Sequence, residues 1–210
     1  MSSGTTEQSK RDVLDPVGSI QVDERPIAER PSSLEGATVG FLDNAKTNAD
    51  VFLEHVAAIL TEEYGVAETI HRAKDNTAIP ADSIASYLAN ECDVVVNAYG
   101  DCGSCTSWCV YDSVDLEKRG TPVATINSDE FVRLGQSESR SLGLPGLPIV
   151  TVEHPMGDLP ADVVCERAAG AVDEIVHVLT TDAGELTEEY DEKYLDSDEE
   201  IGDEELYCPI

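Results

Sequence analysis

The sequence predicts an α/β protein: a three-layer sandwich around a mostly parallel five-stranded sheet, with flavodoxin-like or related doubly wound topology. Short apolar runs rich in β-branched residues alternate with stretches of helical apolar spacing, and this alternation repeats five times. Such alternation favours parallel strands joined by right-handed crossovers, with a layer of helices on each face of the sheet. The chain has 210 residues, of which 41% are hydrophobic, so it can bury one core.

Each predicted strand is a short apolar run bounded by a turn signal. The five strands are predicted at residues 37–43, 66–70, 92–97, 121–126 and 149–152. The first ends in an Asp-Asn turn, the second follows Gly65, and the fourth follows Gly120. The third contains a run of three valines at 94–96, which makes it the best candidate for the centre of the sheet.

A helix is predicted after each strand, because apolar residues recur there at spacings of three and four. The first helix carries an apolar stripe from Val51 to Leu60, and Asn48 or Asp50 can cap it. The next two follow Ala81 and the cysteine-rich turn at 102–109, and the fourth begins near residue 128. The last runs from residue 159 to residue 179.

Two polar segments flank the predicted domain, which spans residues 34–181. Residues 1–33 contain three prolines and few apolar side chains, so they are predicted to form an extended or disordered arm. Residues 182–210 hold 13 acidic residues and one lysine, and their apolar residues are too sparse for a core. This second segment is predicted to be a disordered acidic tail.

The chain is strongly acidic, with 43 acidic residues, 13 basic ones and a formal net charge of -30. High salt screens the self-repulsion of such a chain, so the composition indicates a salt-adapted protein of the kind found in halophilic archaea. An ordinary acidic protein is the alternative. Because no basic stripe is present, nucleic-acid binding is not expected. The polar first residues and the lack of a long apolar run predict a cytoplasmic protein without a membrane segment.

Three of the six cysteines lie within eight positions, at Cys102, Cys105 and Cys109. They come between the predicted central strand and a helix, and the N-terminus of a helix stabilises a thiolate through its free N–H groups and partial positive charge. We therefore predict that Cys102 is the attacking thiol and that Cys105 resolves its adduct as a disulfide. Cys109 lies on the same helical face as Cys105 and is a candidate third member.

Two alternatives remain open for this cluster. Cys102, Cys105 and Cys109 could instead ligate a metal ion or an iron–sulfur cluster, for which a fourth ligand would normally be needed. The cysteines could also be inert, since a free cysteine packs well as a small hydrophobic residue.

Polar residues that could hold a substrate are expected at the same edge of the sheet as the cysteine turn. The loop after the first strand supplies four of them, Asp43, Asn44, Lys46 and Asn48. His154 follows the fifth strand and is the predicted general acid or base. Within the turn, Gly103 permits close approach of a ligand, and Ser104 or Thr106 can cap the helix. All three are predicted to contact the substrate.

Residues 101–106, Asp-Cys-Gly-Ser-Cys-Thr, resemble the signature of the UGSC family, which is named for selenocysteine-Gly-Ser-Cys. Residues 34–50, 117–125 and 147–155 also look like segments of that family, so the resemblance covers residues 12–180. More distantly, the turn is similar to the selenocysteine-Gly-Thr-Cys-Thr turn in the B selenoprotein of glycine and proline reductases. Selenocysteine is the nucleophile there, which implies that Cys102, at the equivalent position, attacks the substrate here.

The expected function is that of a thiol-dependent redox or nucleophilic enzyme acting on a small-molecule substrate. Its expected partner is a thiol reductant or another subunit of a reductase complex. Glycine-rich motifs of NAD- and ATP-binding proteins are missing, so no cofactor is predicted. One alternative is a metal- or cluster-binding module that acts as an electron carrier or a sensor. The other is a subunit of a larger reductase complex.

Overall fold

The structure, a computed structural model, describes residues 22–195. Its sheet has five strands, each parallel to its neighbours, in the order β2-β1-β3-β4-β5. The strands are β1 (Thr38–Asp43), β2 (Glu68–Ala73), β3 (Val94–Gly100), β4 (Val123–Ser128) and β5 (Ile149–Val152). This strand order is that of flavodoxin-like doubly wound sheets, so the predicted fold class is confirmed.

Six α-helices surround the sheet in the described part of the chain. They are α1 (Ala49–Glu63), α2 (Asp82–Glu91), α3 (Gly103–Lys118), α4 (Val132–Ser141), α5 (Ala161–Thr180) and α6 (Ala183–Tyr190). A short 3-10 helix, Asp129–Phe131, precedes α4. Helix α1 packs against α5, and α3 packs against both α2 and α4. Between residues 22 and 195, no helix is long and apolar enough to cross a membrane.

The strand β3 lies at the centre of the sheet, as its valine run predicts, and all seven of its residues are buried. Val94 and Val96 join the large apolar core that includes α1 and α5, whereas Val95 joins a smaller cluster that includes α2. Successive side chains of a strand point to opposite faces, so this division is what a strand covered by helices on both faces requires.

The strand order reverses between β1 and β3. From β1 the chain crosses to β2 on one side, whereas from β3 it crosses to β4 on the other. Loops that leave two adjacent strands in opposite directions open a crevice at the carboxyl ends of those strands, and this is the usual ligand site of an open α/β sheet. The loop after β1 and the cysteine turn after β3 therefore face each other.

Several strand boundaries differ from the prediction by two or three residues. Strand β3 ends at Gly100 instead of residue 97, because Gly100 still pairs with Asn127 of β4 after a register shift. Strand β2 runs from 68 to 73 instead of from 66 to 70, since its whole length follows the register of β1. The cysteine turn between β3 and α3 is consequently only two residues long.

The described part of the N-terminal arm, residues 22–33, contains no helix or strand but is fastened to the domain. Ile27 and Ala28 are buried, and the Arg30 guanidinium pairs with the Glu117 carboxylate, with Nη2 2.6 Å from Oε1. Glu117 also accepts hydrogen bonds from the N–H groups of Ala28 and Val123, at 2.7 and 2.8 Å. One buried carboxylate thus joins the arm, the end of α3 and the start of β4. Residues 1–21 lie outside the described residues.

The prediction of a disordered tail from residue 182 is wrong for residues 183–190, which form α6. The Asp182 carboxylate caps this helix by accepting from the N–H groups of Gly184 and Glu185. Leu186 and Tyr190 are buried in the core, because they lie at helical spacing on one face of an otherwise acidic segment. That periodicity was hidden by the charged composition. Residues 196–210, the rest of the predicted tail, lie outside the described residues.

We expect the Arg30–Glu117 pair to contribute strongly to the free energy of unfolding. Both side chains are fully buried, so Glu117→Ala leaves the guanidinium charged and without its partner. Removing one member of a buried pair costs about 3–5 kcal/mol, which urea unfolding at constant salt should measure as a loss in the free energy of unfolding.

The matched control is Asp115→Ala, which removes the exposed Asp115–Arg119 pair. Exposed pairs contribute below about 1 kcal/mol, so this variant is expected to unfold nearly as the wild type does. A loss for Glu117→Ala as small as that of the control would contradict the structural role given to the buried pair.

Candidate active site

Cys102 is the N-cap residue of α3, which begins at Gly103. Its backbone is extended, with φ -163° and ψ 165°, and its Sγ accepts a hydrogen bond from the N–H of Cys105 at 3.4 Å. Ser104 and Thr106, the caps predicted from sequence, instead lie inside the first turn. The sulfur of Cys102 therefore occupies the position where a capping oxygen would normally meet the free N–H groups of a helix.

The two predicted active cysteines lie side by side. Their Sγ atoms are 2.6 Å apart, both thiols are free, and Cys102 is partly exposed while Cys105 is buried. The Cys105 sulfur accepts from the N–H of Asp101 at 3.1 Å and lies 3.3 Å from the Cys102 carbonyl oxygen. A disulfide needs sulfurs at about 2.05 Å, so only a small approach separates this pair from a bond.

The surroundings shift the pKa values of the two thiols in opposite directions. Burial alone would raise the pKa of Cys102, but hydrogen bonds from the Cys105 thiol, the Cys105 N–H and Ser104, with the charge of Lys46, lower that pKa below its ordinary value. Burial and the neighbouring Cys102 raise the pKa of Cys105 to about 11. Cys102 is thus the more acidic thiol of the pair, and Cys105 is the one that holds its proton more tightly.

Asp101 connects the cysteine turn to the loop after β5. Its buried carboxylate accepts from the N–H groups of Met156, at 3.2 Å, and Gly157, at 3.1 Å. The carboxylate Oδ1 also lies 2.8 Å from Nδ1 of His154. These contacts hold the carboxylate against the loop after β5.

His154, the predicted acid or base, is held from several sides. Its Nδ1 lies near Asp101 and 3.2 Å from Oγ of Ser128, which leaves Nε2 as the ring nitrogen without a described protein partner. The N–H of His154 donates to Asp129 at 3.0 Å. On the far side of the loop, Arg167 donates to the carbonyl oxygens of Glu153 and Pro155. The ring is one-third exposed, so a ligand or water can reach it.

The loop after β1 holds one candidate substrate-binding side chain, Lys46, which is partly exposed. Its ammonium lies close enough to the cysteine pair to lower the pKa of Cys102. Its side chain passes beside Gly157, where an added Cβ would lie 3.3 Å from its Cε and 3.5 Å from an Asp101 oxygen. Among residues 22–195, its Nζ forms no hydrogen bond or ion pair with protein.

The other polar residues of this loop mainly support the fold. The Asn44 amide is fully buried and donates to the Tyr99 carbonyl oxygen at 2.7 Å. The Asn48 amide donates to the carbonyl oxygens of Met156 and Leu159, both at 3.0 Å. Asp43 accepts from the N–H of Ala45, and burial raises the pKa of its carboxyl. The prediction that Asn44 contacts substrate is therefore corrected, because its side chain is fully buried. The Asn48 amide holds the loop after β1 to the loop after β5, and the half-buried Asn48 stays a predicted substrate contact.

Of the three residues of the turn that are predicted to contact substrate, two are exposed and one is buried. Gly103 and Ser104 are exposed, and the Ser104 hydroxyl lies 3.9 Å from the Cys102 sulfur. Thr106 is fully buried, so its prediction as a substrate contact is corrected. Its side chain points towards β4 because it lies on the inner face of the first turn, which the sequence alone could not determine.

Cys109 does not join the pair. Its Sγ is fully buried and faces the carbonyl oxygens of Asn97 and Ile126, at 3.8 and 3.9 Å, and burial raises its pKa well above the ordinary value. No group of three or more histidine, cysteine, aspartate or glutamate side chains in residues 22–195 is arranged to hold a metal ion. The geometry therefore gives no support to the alternative ligand set of Cys102, Cys105 and Cys109.

Gly100 is not among the predicted site residues, yet it allows the turn to form. A Cβ at this position would lie 2.4 Å from Oδ1 of Asn127, 2.6 Å from Oγ1 of Thr106 and 2.9 Å from the Thr106 Cα. The end of β3, the first turn of α3 and β4 are thus in direct contact. Gly-Asp-Cys after a buried strand is the only signal that could have indicated this close approach.

Comparison with known proteins places the chain in a described family. The family model described as UGSC family matches residues 12–181. No curated protein matches the sequence. Among solved structures, the chain is similar to the flavodoxin-like domain of a Synechococcus sp. protein, at 12% identity and a TM-score of 0.40. The alignment covers 68% of this chain and 98% of that one.

The contrast between Gly100 and Gly103 gives a matched pair of substitutions. Gly100→Ala inserts a methyl group against the backbone of α3, and overpacking of this kind costs about 1–3 kcal/mol. The displacement of α3 should also slow alkylation of Cys102. A Cβ at Gly103 meets nothing within 4 Å, so Gly103→Ala should change the free energy of unfolding by less than about 0.5 kcal/mol. Equal stability of the two variants in urea unfolding would refute the close approach.

Proposed function

The chain belongs to the UGSC family, and we propose that it is a thiol-dependent redox or nucleophilic enzyme acting on a small-molecule substrate. Cys102 attacks and Cys105 resolves. The observation that carries this proposal is the cysteine pair itself: two sulfurs 2.6 Å apart whose pKa values are shifted in opposite directions. Opposed pKa values within one pair assign one thiol to attack and the other to proton storage.

The first step is attack by the Cys102 thiolate on an electrophilic atom of the substrate. Cys102 is suited to this step because it is partly exposed at the N-terminus of α3, where an N–H group already supports its negative charge. For a peroxide substrate, the sulfur forms a bond to the nearer oxygen and the oxygen–oxygen bond breaks. Cys102 becomes a sulfenic acid, and the departing oxygen takes up a proton.

The second step is resolution by Cys105. Its thiol attacks the sulfur of the Cys102 sulfenic acid, a disulfide forms, and water leaves with the hydroxyl group and the Cys105 proton. The raised pKa of Cys105 keeps this thiol protonated until the first step has removed the negative charge beside it. A thiol reductant, or another subunit of a reductase complex, then supplies the two electrons that restore both thiols.

We assign proton delivery to His154 and substrate orientation to Lys46. Asp101 fixes the His154 ring through Nδ1, which leaves Nε2 to give a proton to the leaving atom. Lys46 offers an ammonium without a described protein partner beside the Cys102 sulfur, so it favours a substrate with a negative group near its reactive atom. Ser104 and Gly103, both exposed, line the open side of the turn.

The pH dependence of alkylation tests the assignment of the nucleophile. Iodoacetamide reacts with thiolates, so modification of Cys102, mapped by peptide mass, should reach half its maximal rate at a lower pH than modification of free cysteine. Cys105→Ala removes a hydrogen bond to that thiolate, raises the pKa of Cys102 and moves the curve to higher pH. Lys46→Met should move it in the same direction by a smaller amount. Alkylation of Cys105 ahead of Cys102 would contradict the proposal.

Hydrogen peroxide, used as a second probe, distinguishes the role of His154 from that of the nucleophile. Displacement of iodide needs no proton, whereas cleavage of a peroxide bond does. His154→Gln should therefore leave the iodoacetamide curve of Cys102 unchanged and slow its oxidation by hydrogen peroxide. His55→Gln, which alters a histidine within α1, is the matched control and should change neither rate. Equal slowing of both reactions by His154→Gln would assign the histidine a structural role only.

A further inference from the structure

An apolar groove runs between α3 and α4, one helical turn beyond the cysteine pair. We call it the α3/α4 groove; it has a volume of ≈ 270 Å³ and is lined by Ser107, Trp108, Tyr111, Glu138, Ser141 and Leu142. A smaller hollow continues it towards Lys118. The Trp108 and Tyr111 rings stack edge to face with centroids 5.5 Å apart, and Tyr111 is 41% exposed. Trp108 is half-buried, so part of its ring is open towards the groove.

The described chain begins next to this groove. The N–H of Arg25 donates to the Gly143 carbonyl oxygen at 2.9 Å, and Gly143 directly follows Leu142 of the groove. A Cβ on Gly143 would lie 2.7 Å from the Asp23 carbonyl oxygen and 3.1 Å from a Val22 methyl group. The segment that precedes Val22 therefore starts at the Leu142 end of the groove.

We propose that residues 13–20 of this chain occupy the α3/α4 groove and cover Trp108. The segment Val13-Leu-Asp-Pro-Val-Gly-Ser-Ile20 contains four aliphatic residues. Seven residue steps span up to about 23–25 Å. The groove follows α3 from Ser107 to Lys118, a rise of about 16 Å, so the segment can extend along its whole length.

One further observation favours this occupant. The UGSC family match begins at residue 12, so it includes this segment, although it stops at residue 181 and leaves out the acidic residues that follow.

The fluorescence of Trp108, the one tryptophan of the chain, tests the proposal directly. Deletion of residues 1–21 should shift its emission to longer wavelength and increase its quenching by acrylamide, because the ring becomes exposed to water. Leu14→Ser combined with Val17→Ser should do the same. The matched control, Thr5→Ser combined with Gln8→Ser, should leave emission and quenching unchanged. A peptide of residues 10–21, added to the shortened protein, should reverse the shift, which separates uncovering from misfolding.

Three results would overturn the proposal. Emission and quenching that do not change when residues 1–21 are removed would show that the segment lies elsewhere. A shift caused by deletion of residues 196–210, with none on deletion of residues 1–21, would assign the groove to the acidic segment. A shift that depends on protein concentration would assign it to a second copy of the chain. These outcomes do not depend on thiol reactivity, so they leave the proposed function to its own tests.

Discussion

The site depends on the hydrogen bonds that the sulfur of Cys102 accepts at the N-terminus of α3. A thiolate is stabilised by hydrogen-bond donors and by positive charge, and basic residues are few in this acidic protein. The structure supplies them locally, from the N–H and thiol of Cys105, from Ser104 and from Lys46. These groups lie within one turn of helix and one neighbouring loop, and together they lower the pKa of Cys102.

The fold positions these groups through contacts at the carboxyl ends of the strands. The buried strand β3 brings Gly100 against Thr106 and β4, and this close approach fixes where α3 can begin. Asp101 then ties the turn to the loop that carries His154, with the N–H groups of that loop as donors. The reversal of strand order between β1 and β3 brings Lys46 to the same crevice.

Much of this arrangement could be predicted from local sequence patterns. The alternation of strands and helices predicts the sheet, and the position of Cys102 after the valine run predicts its place at a helix N-terminus. The remainder depends on contacts between distant residues. Nothing near Glu117 indicates that Arg30 will pair with it, and the direction of the Thr106 side chain follows from the phase of α3 against β4. Helix α6 was not predicted because its three buried residues lie in a strongly acidic segment.

The most direct test of the central claim is mass spectrometry of the intact protein, oxidised with a mild oxidant and then reduced with dithiothreitol. Oxidation should remove two hydrogens, peptide mapping should place the bond between Cys102 and Cys105, and reduction should restore the original mass. Cys109→Ser should behave as the wild type, because that sulfur faces β3 and β4. A mass that does not change, a bond that joins other cysteines, or oxidation that dithiothreitol does not reverse would contradict the account.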